Sequence, residues 1–185
     1  PDDGTNLSRG IKLLEAAGFI KVDPAAGYTP EIKDITDYLY NVEVTPVAAN
    51  TLPSTLGDFA ASTINGTYAV PYGLIPSRDA LLIEKQDENG ENPYVNVIVA
   101  RTADKDNEVY QKVVEAYQTQ LVAEFLLVNY HETFYPAFAY DADAAFSVTE
   151  ENVAEISGYK SSKDGKTVVK VGVCGANNNQ WYAVQ

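Results

Sequence analysis

An alternation of short apolar runs with helix-period segments predicts an α/β protein, and three stretches carry that prediction. Leu7, Ile11 and Leu14 stand at i, i+4 and i+7, the spacing of one buried helix face. Ala80-Leu81-Leu82-Ile83-Glu84 is a near-continuous apolar run that reads as a buried strand, and Val95-Asn96-Val97-Ile98-Val99-Ala100 reads as the next one. From about Asp104 to Tyr130 the apolar residues return with helical period, and Val109, Val113, Tyr117, Leu121, Phe125 and Val128 form a core stripe along one long helix. At 185 residues the chain has room for one domain, or one and a small piece.

Composition narrows the function classes. Thirteen basic residues against 26 acidic ones argue against nucleic acid, whose backbone demands clustered Lys and Arg. The acidic surplus suits solubility. One cysteine, Cys174, forms neither an intrachain disulfide nor a cysteine metal cluster, and one histidine, His131, weakens any metal or His-based catalytic reading. No cofactor is implied. No apolar run approaches the ~20 residues that span a bilayer.

The elements follow in order. Asp2-Asp3-Gly4-Thr5 is turn chemistry, with Thr5 placed to cap the first helix, and Gly18 is a natural residue just past its end. Thr29-Pro30-Glu31 starts a short helix with Ile32 and Ile35 inward, and Val42-Glu43-Val44 alternates like a strand. Leu52-Pro53-Ser54-Thr55-Leu56 suggests another short helix. Phe59-Ala60-Ala61-Ser62-Thr63-Ile64 reads as a strand of small residues that ends at Asn65-Gly66, where a helix through Tyr68 begins. From Tyr140 to Lys166 the pattern weakens into connecting chain, with a short helix from Thr149 carrying Val153 and Ile156. Thr167-Val168-Val169-Lys170-Val171-Gly172-Val173 is again strand-like, and Asn179-Gln180-Trp181 opens a helix.

Two polar residues stand out locally. Arg9 falls near the positive end of the first helix, where a bound anion would answer both its guanidinium and the free N–H groups; the plainer alternative is a solvated Arg on an exposed face. Asn65 lies at a strand-to-helix junction, the kind of place where open α/β sheets bind ligands, and offers a donor and an acceptor; the plainer alternative is a cap or turn residue. His131 reads as a helix-end cation or a surface residue. The pair Asp2-Asp3 reads as a turn, and nothing supplies a nucleophile with a matched base, so no enzyme is expected.

Three motifs in register carry a resemblance. Pro1-Asp2-Asp3-Gly4-Thr5-Asn6-Leu7-Ser8-Arg9-Gly10-Ile11-Lys12-Leu13-Leu14, then Ala60-Ala61-Ser62-Thr63-Ile64-Asn65-Gly66-Thr67-Tyr68-Ala69, then Pro93-Tyr94-Val95-Asn96-Val97-Ile98-Val99-Ala100-Arg101 resemble the NlpA-type lipoproteins, methionine-binding proteins of ABC importers. The resemblance covers residues 1–138. It implies a type 2 periplasmic-binding-protein fold, represented mainly by the second lobe plus strand and helix elements of the first. Residues 139–166 would link it to residues 167–185, which resemble the first strand and helix of a following module. The parent would be two modules in tandem or, less simply, a permuted one.

The resemblance also implies a function. An extracytoplasmic solute-binding component would clamp a methionine-like amino acid between two lobes, deliver it to an ABC permease and meet the membrane through a lipid anchor outside this chain. Arg9 would pair the ligand carboxylate, Asn6 and Asn65 would fix its other polar atoms, and Tyr68 would touch the rim. Where the family has a second Asn, this chain has Thr67. The alternative is an envelope structural or partner-binding module that kept the fold without the ligand. Because the family module begins upstream of Pro1, a slot in the sheet of the second lobe is expected. The strand at 167–173 would lie in a sheet of its own, in that of a second copy by strand exchange, or beside residues 95–100.

Overall fold

The computed structural model describes residues 1–85, 92–131 and 133–158, and the chain divides into two compact units, Pro1–Tyr94 and Val95–Gln185. The strand and helix expected from residue 167 onward lie outside the described residues.

The first unit is built on helix α1, Gly4–Ala16. Asp3, rather than Thr5, caps it: the Asp3 carboxylate accepts from the backbone N–H of Asn6 at 3.2 Å and from the Asn6 amide at 2.9 Å. An ionised carboxylate opposite the positive helix end outcompetes a hydroxyl for this role. At the other end Gly18 takes a left-handed φ of 80°, and the Gly18 N–H bonds Glu15 while that of Phe19 bonds Leu14. This paired closure satisfies the last carbonyls and turns the chain straight into strand β1, Ile20–Val22.

Strand β1 pairs antiparallel with β2, Ile35–Tyr38, in the register Ile20 to Tyr38 and Val22 to Ile35, with an irregularity between Lys21 and Val22. The Glu15 carboxylate accepts from the Val22 N–H at 3.0 Å and so ties helix to hairpin. Ile11, Ile20 and Val22 are buried, with Leu7, Leu14, Phe19, Ile32 and Ile35 packed around them. The expected helix after Pro30 is a single 3-10 turn, Ile32–Asp34; Ile35 then enters β2, where ladder bonds to β1 are available.

The segment 61–64 passes α1 at its glycine. A Cβ on Gly10 would lie 2.7 Å from the Thr63 hydroxyl, closer than real atoms approach. Beyond this crossing come the short helices α2, Gly66–Ala69, and α3, Pro76–Asp79. The segments at 42–44, 59–64 and 80–84 were expected as strands, and none forms a ladder. An extended chain becomes a strand only when a neighbour receives its backbone groups. Leu81 is 99% exposed, the reverse of the buried strand that its apolar run suggested. Around Leu52 there are turns, followed by a 3-10 turn at Leu56–Asp58.

In the second unit, residues 95–100 are likewise exposed and without a ladder, Val97 being 72% accessible. The long helix is two: α4, Glu108–Tyr117, and α5, Gln120–Asn129. Gln118 leaves helical geometry, and the Thr119 hydroxyl caps α5 by accepting from the Val122 N–H at 3.3 Å. The break re-aims the stripe. Val109 and Leu121 are exposed, whereas Val122, Ala123, Phe125 and Leu126 are buried.

Helix α6, Val153–Gly158, forms where the sequence places it. His131 follows α5 in a left-handed conformation with Nδ1 3.8 Å from the Glu150 carboxylate. The Tyr130 ring is fully buried against Phe134, and burial pushes its phenol up to about 12.

Glu124 is buried on α5, yet its carboxylate is well supplied. One oxygen accepts from the Ser147 N–H and hydroxyl, both at 2.7 Å, and from the Val148 N–H at 3.1 Å; the other accepts from Gln120 at 3.0 Å. Burial pushes this carboxyl up, but the hydrogen bonds outweigh it and hold the group below its ordinary value of 4.5. Gln120 is itself fixed by two bonds to the Asp141 backbone.

Two outcomes are expected. Gly10→Ala should destabilise the first unit by about 1–3 kcal/mol through overpacking. Adding Thr63→Ala should restore the loss in a urea melt, since the obstructing hydroxyl is then gone. For Glu124, a depressed folded-state value means stability that is present above about 4.5 and lost as pH falls through that lower value. Urea melts should therefore show an acid-dependent fall that Glu124→Gln reduces. The substitution itself should cost about 1–3 kcal/mol at neutral pH by setting two amide donors against each other.

Candidate functional site

Two residues of α1 and one from beyond the Gly10 crossing meet on the first unit. Asn6 and Arg9 share a helix face by their i, i+3 spacing. Passage of the chain at Thr63 then brings Asn65 alongside, two residues later. The Asn6 amide oxygen accepts from Asn65 Nδ2 at 2.8 Å and from Arg9 Nη1 at 3.4 Å. The Asn6 amide nitrogen donates to Asp3, so the helix cap and the cluster share one side chain. Asn65 occupies the cap position of α2, but its side chain makes no cap bond and turns to Asn6 instead. Its own oxygen is buried with no hydrogen-bond partner.

Arg9 is held on two sides. Its Nε donates to both oxygens of Glu84, at 3.1 and 3.2 Å, and its Nη2 pairs with Glu84 Oε2. The Tyr94 ring lies against the guanidinium, 4.8 Å from carbon to ring centroid. Tyr94 is anchored in turn by its hydroxyl, which donates to the Tyr28 carbonyl at 3.3 Å. The hydrogen bond to Glu84 raises Arg9 above its ordinary value, against the opposing effect of burial. Burial and the Glu84 charge push the Tyr94 phenol up, with Arg9 countering in part.

Of the residues singled out in the sequence, Asn6, Arg9 and Asn65 are brought together. Tyr68, on α2, is half-buried, and among the described residues no hydrogen bond joins its hydroxyl to the cluster. Because Asp3 starts the helix two residues earlier than Thr5 would, Arg9 stands in the second turn, outside the strongest part of the dipole field. The anion at its fork is the chain's own Glu84. Glu84, Tyr94 and Asp3 were missed as members of this cluster. Glu84 lies 75 positions from Arg9, and no local pattern links residues so far apart. Among the described residues no group of His, Cys, Asp and Glu side chains is arranged to hold a metal ion, and no helix is long and apolar enough to cross a membrane.

What the cluster can do follows from its donors and acceptors. It presents guanidinium N–H groups, a buried amide oxygen in need of a donor, and carboxylates on its flank, a set suited to a small molecule carrying both charges.

Comparison with known proteins places this arrangement in context. A family model described as NlpA lipoprotein matches residues 1–138. The D-methionine-binding lipoprotein MetQ of Yersinia pestis is 40% identical over 124 residues, covering 66% of this chain and 44% of that protein. Its counterpart in Escherichia coli K12 is 39% identical over 126 residues, covering 67% and 45%. This chain therefore spans less than half the length of the curated relatives it matches. Among solved structures, a methionine-binding protein MetQ aligns with a TM-score of 0.55 at 38% identity, covering 64% of this chain and 48% of that one. A nutrient-binding protein from Burkholderia cenocepacia bound to methionine aligns at 0.65 and 32% identity, covering 75% and 57%. The shared fold is the α/β periplasmic-binding-protein class that the resemblance implies.

The Arg9–Glu84 pair is open to solvent on one side, with about a third of each side chain accessible. A double-mutant cycle with Arg9→Ala and Glu84→Ala, read by urea unfolding, should give a coupling of about 0.5–1 kcal/mol, since exposed pairs are screened. Added salt should reduce it.

Proposed function

This chain belongs to the NlpA lipoprotein family, and from that membership we propose that it is part of an extracytoplasmic solute-binding component of an ABC importer, which holds a methionine-like amino acid between two lobes. The observation that carries this reading is the meeting of Asn6, Arg9 and Asn65 around a buried, unpartnered amide oxygen. A zwitterion withdrawn from water needs a partner for each charge. Arg9 supplies the fork for the carboxylate, and Asn65 supplies an acceptor for the ammonium, with Asn6 holding the two in register. Tyr68 is assigned to the rim. The relatives named above are binding proteins by name, and the reading is accordingly non-enzymatic. Delivery to a permease and attachment through a lipid anchor belong to the same proposal.

A second reading, an envelope module that kept the fold without the ligand, draws on one observation: Glu84 already engages Arg9. Binding measurements separate the two. Isothermal titration of the intact protein carrying this chain should show heat with methionine. Arg9→Ala should weaken binding by about 2–5 kcal/mol, the cost of truncating one member of a buried charge pair. Arg9→Lys should also weaken it, because an ammonium lacks the planar fork. Unchanged affinity in Arg9→Ala would reject Arg9 as the carboxylate anchor, and no heat in the unaltered protein would favour the second reading.

A further inference from the structure

Among the described residues, Glu84 grips Arg9 by one edge of the guanidinium, and the other edge makes a single long contact. A guanidinium offers five N–H donors in a plane, on a side edge formed by Nε and Nη2 and an end edge formed by Nη1 and Nη2. Glu84 fills the side edge, with Nε donating to both its oxygens at 3.1 and 3.2 Å and Nη2 to Oε2. Tyr94 covers one face. At the end edge the contact is a long one, 3.4 Å from Nη1 to the Asn6 oxygen. Glu84 and Tyr94 thus fix the plane of Arg9 while leaving Nη1 to Asn6, which also holds Asn65.

The charges around that edge have a definite balance. Glu84 cancels Arg9, and Asp3 adds a negative charge through its bonds to Asn6. A plain carboxylate arriving at the end edge gains two donors but faces two carboxylates. An α-amino acid brings the same carboxylate together with an ammonium, and the buried oxygen of Asn65 is an acceptor with no partner of its own. Only the second visitor answers every group.

We propose that Glu84 is a positioning and charge-selecting residue of this site: it holds Arg9 by the side edge and cancels its charge, so that the cluster admits a zwitterionic α-amino acid and turns away the corresponding carboxylate anion. This rests on the reading of the cluster as an amino-acid site. It assigns Glu84 a part in discrimination rather than in contact with the ligand.

The test uses the intact protein, L-methionine and its des-amino analogue 4-(methylthio)butanoate, titrated calorimetrically. The unaltered protein should prefer methionine by about 100-fold or more, since a site built for a donor rejects the analogue that lacks it. Glu84→Gln should lower methionine affinity about tenfold while holding or raising that of the analogue, collapsing the ratio. Glu84→Asp, which keeps the charge, should recover much of the ratio. An equal loss for both ligands would make Glu84 merely structural, and tighter methionine binding would make it a competitor for Arg9; either overturns the proposal while leaving the amino-acid reading intact. Should Glu84→Gln fail to fold, the unaltered protein still decides, because equal affinity for the two ligands overturns the proposal by itself. An unaltered protein that binds neither ligand removes the amino-acid reading together with this inference.

Discussion

The positive charge of Arg9, two-thirds withdrawn from solvent, is the constraint that the first unit is arranged to meet. A guanidinium in that position must have its donors answered in its own plane, because water reaches only part of it. The chain answers in the plane from Asn6 on the same helix and from Glu84 past α3, and the Tyr94 ring covers one face of the guanidinium. Two of these are fixed in turn, Asn6 by the capping carboxylate of Asp3 and Tyr94 by the Tyr28 carbonyl. Stability of the helix start and geometry of the cluster are therefore one problem. Anything that loosens the cap at Asp3 also frees the amide that orders Arg9 and Asn65.

The same economy appears in how Asn65 is delivered. Its side chain reaches Asn6 because residues 61–64 cross α1 at Gly10, where a side chain would not fit. The opposite face of α1 lies on the β1–β2 hairpin through Ile11, Ile20 and Val22. One helix thus carries the core on one side and the polar cluster on another, with a glycine marking where a second segment is admitted. In the second unit a buried carboxylate plays the comparable organising part: Glu124 gathers Ser147, Val148 and Gln120 and pins a long irregular segment to α5.

Much of this was legible in the sequence, for reasons that differ by residue. Gly18 announces the end of α1 because a left-handed turn there suits glycine, and the chain uses it so. The inward face of α1 follows from spacing alone. Thr119 also carried a readable signal, a good capping residue inside the supposed long helix, which the unbroken apolar period concealed. The apolar runs at 80–84 and 95–100 illustrate a different limit. Apolar, β-prone composition specifies what a segment would do in a sheet, but a ladder requires a neighbour, and composition does not supply one. In the cluster, Arg9 and Asn65 stood out by their places at the ends of elements, and Asn6 through the resemblance alone. Glu84 and Tyr94 were not, because their role exists only after the chain has folded back on Arg9.

Those exposed apolar runs shape how copies of the chain meet one another. Leu81, Val97 and Val99 stand largely bare. Segments of this kind are templates for edge-to-edge association. At neutral pH a formal charge of −13 sets identical molecules against each other before such segments touch. Near the isoelectric point of about 4.3 that repulsion vanishes. The acidic composition, which contributes little to the fold, thus acts as a colloidal guard: it holds copies with bare apolar stretches apart in solution.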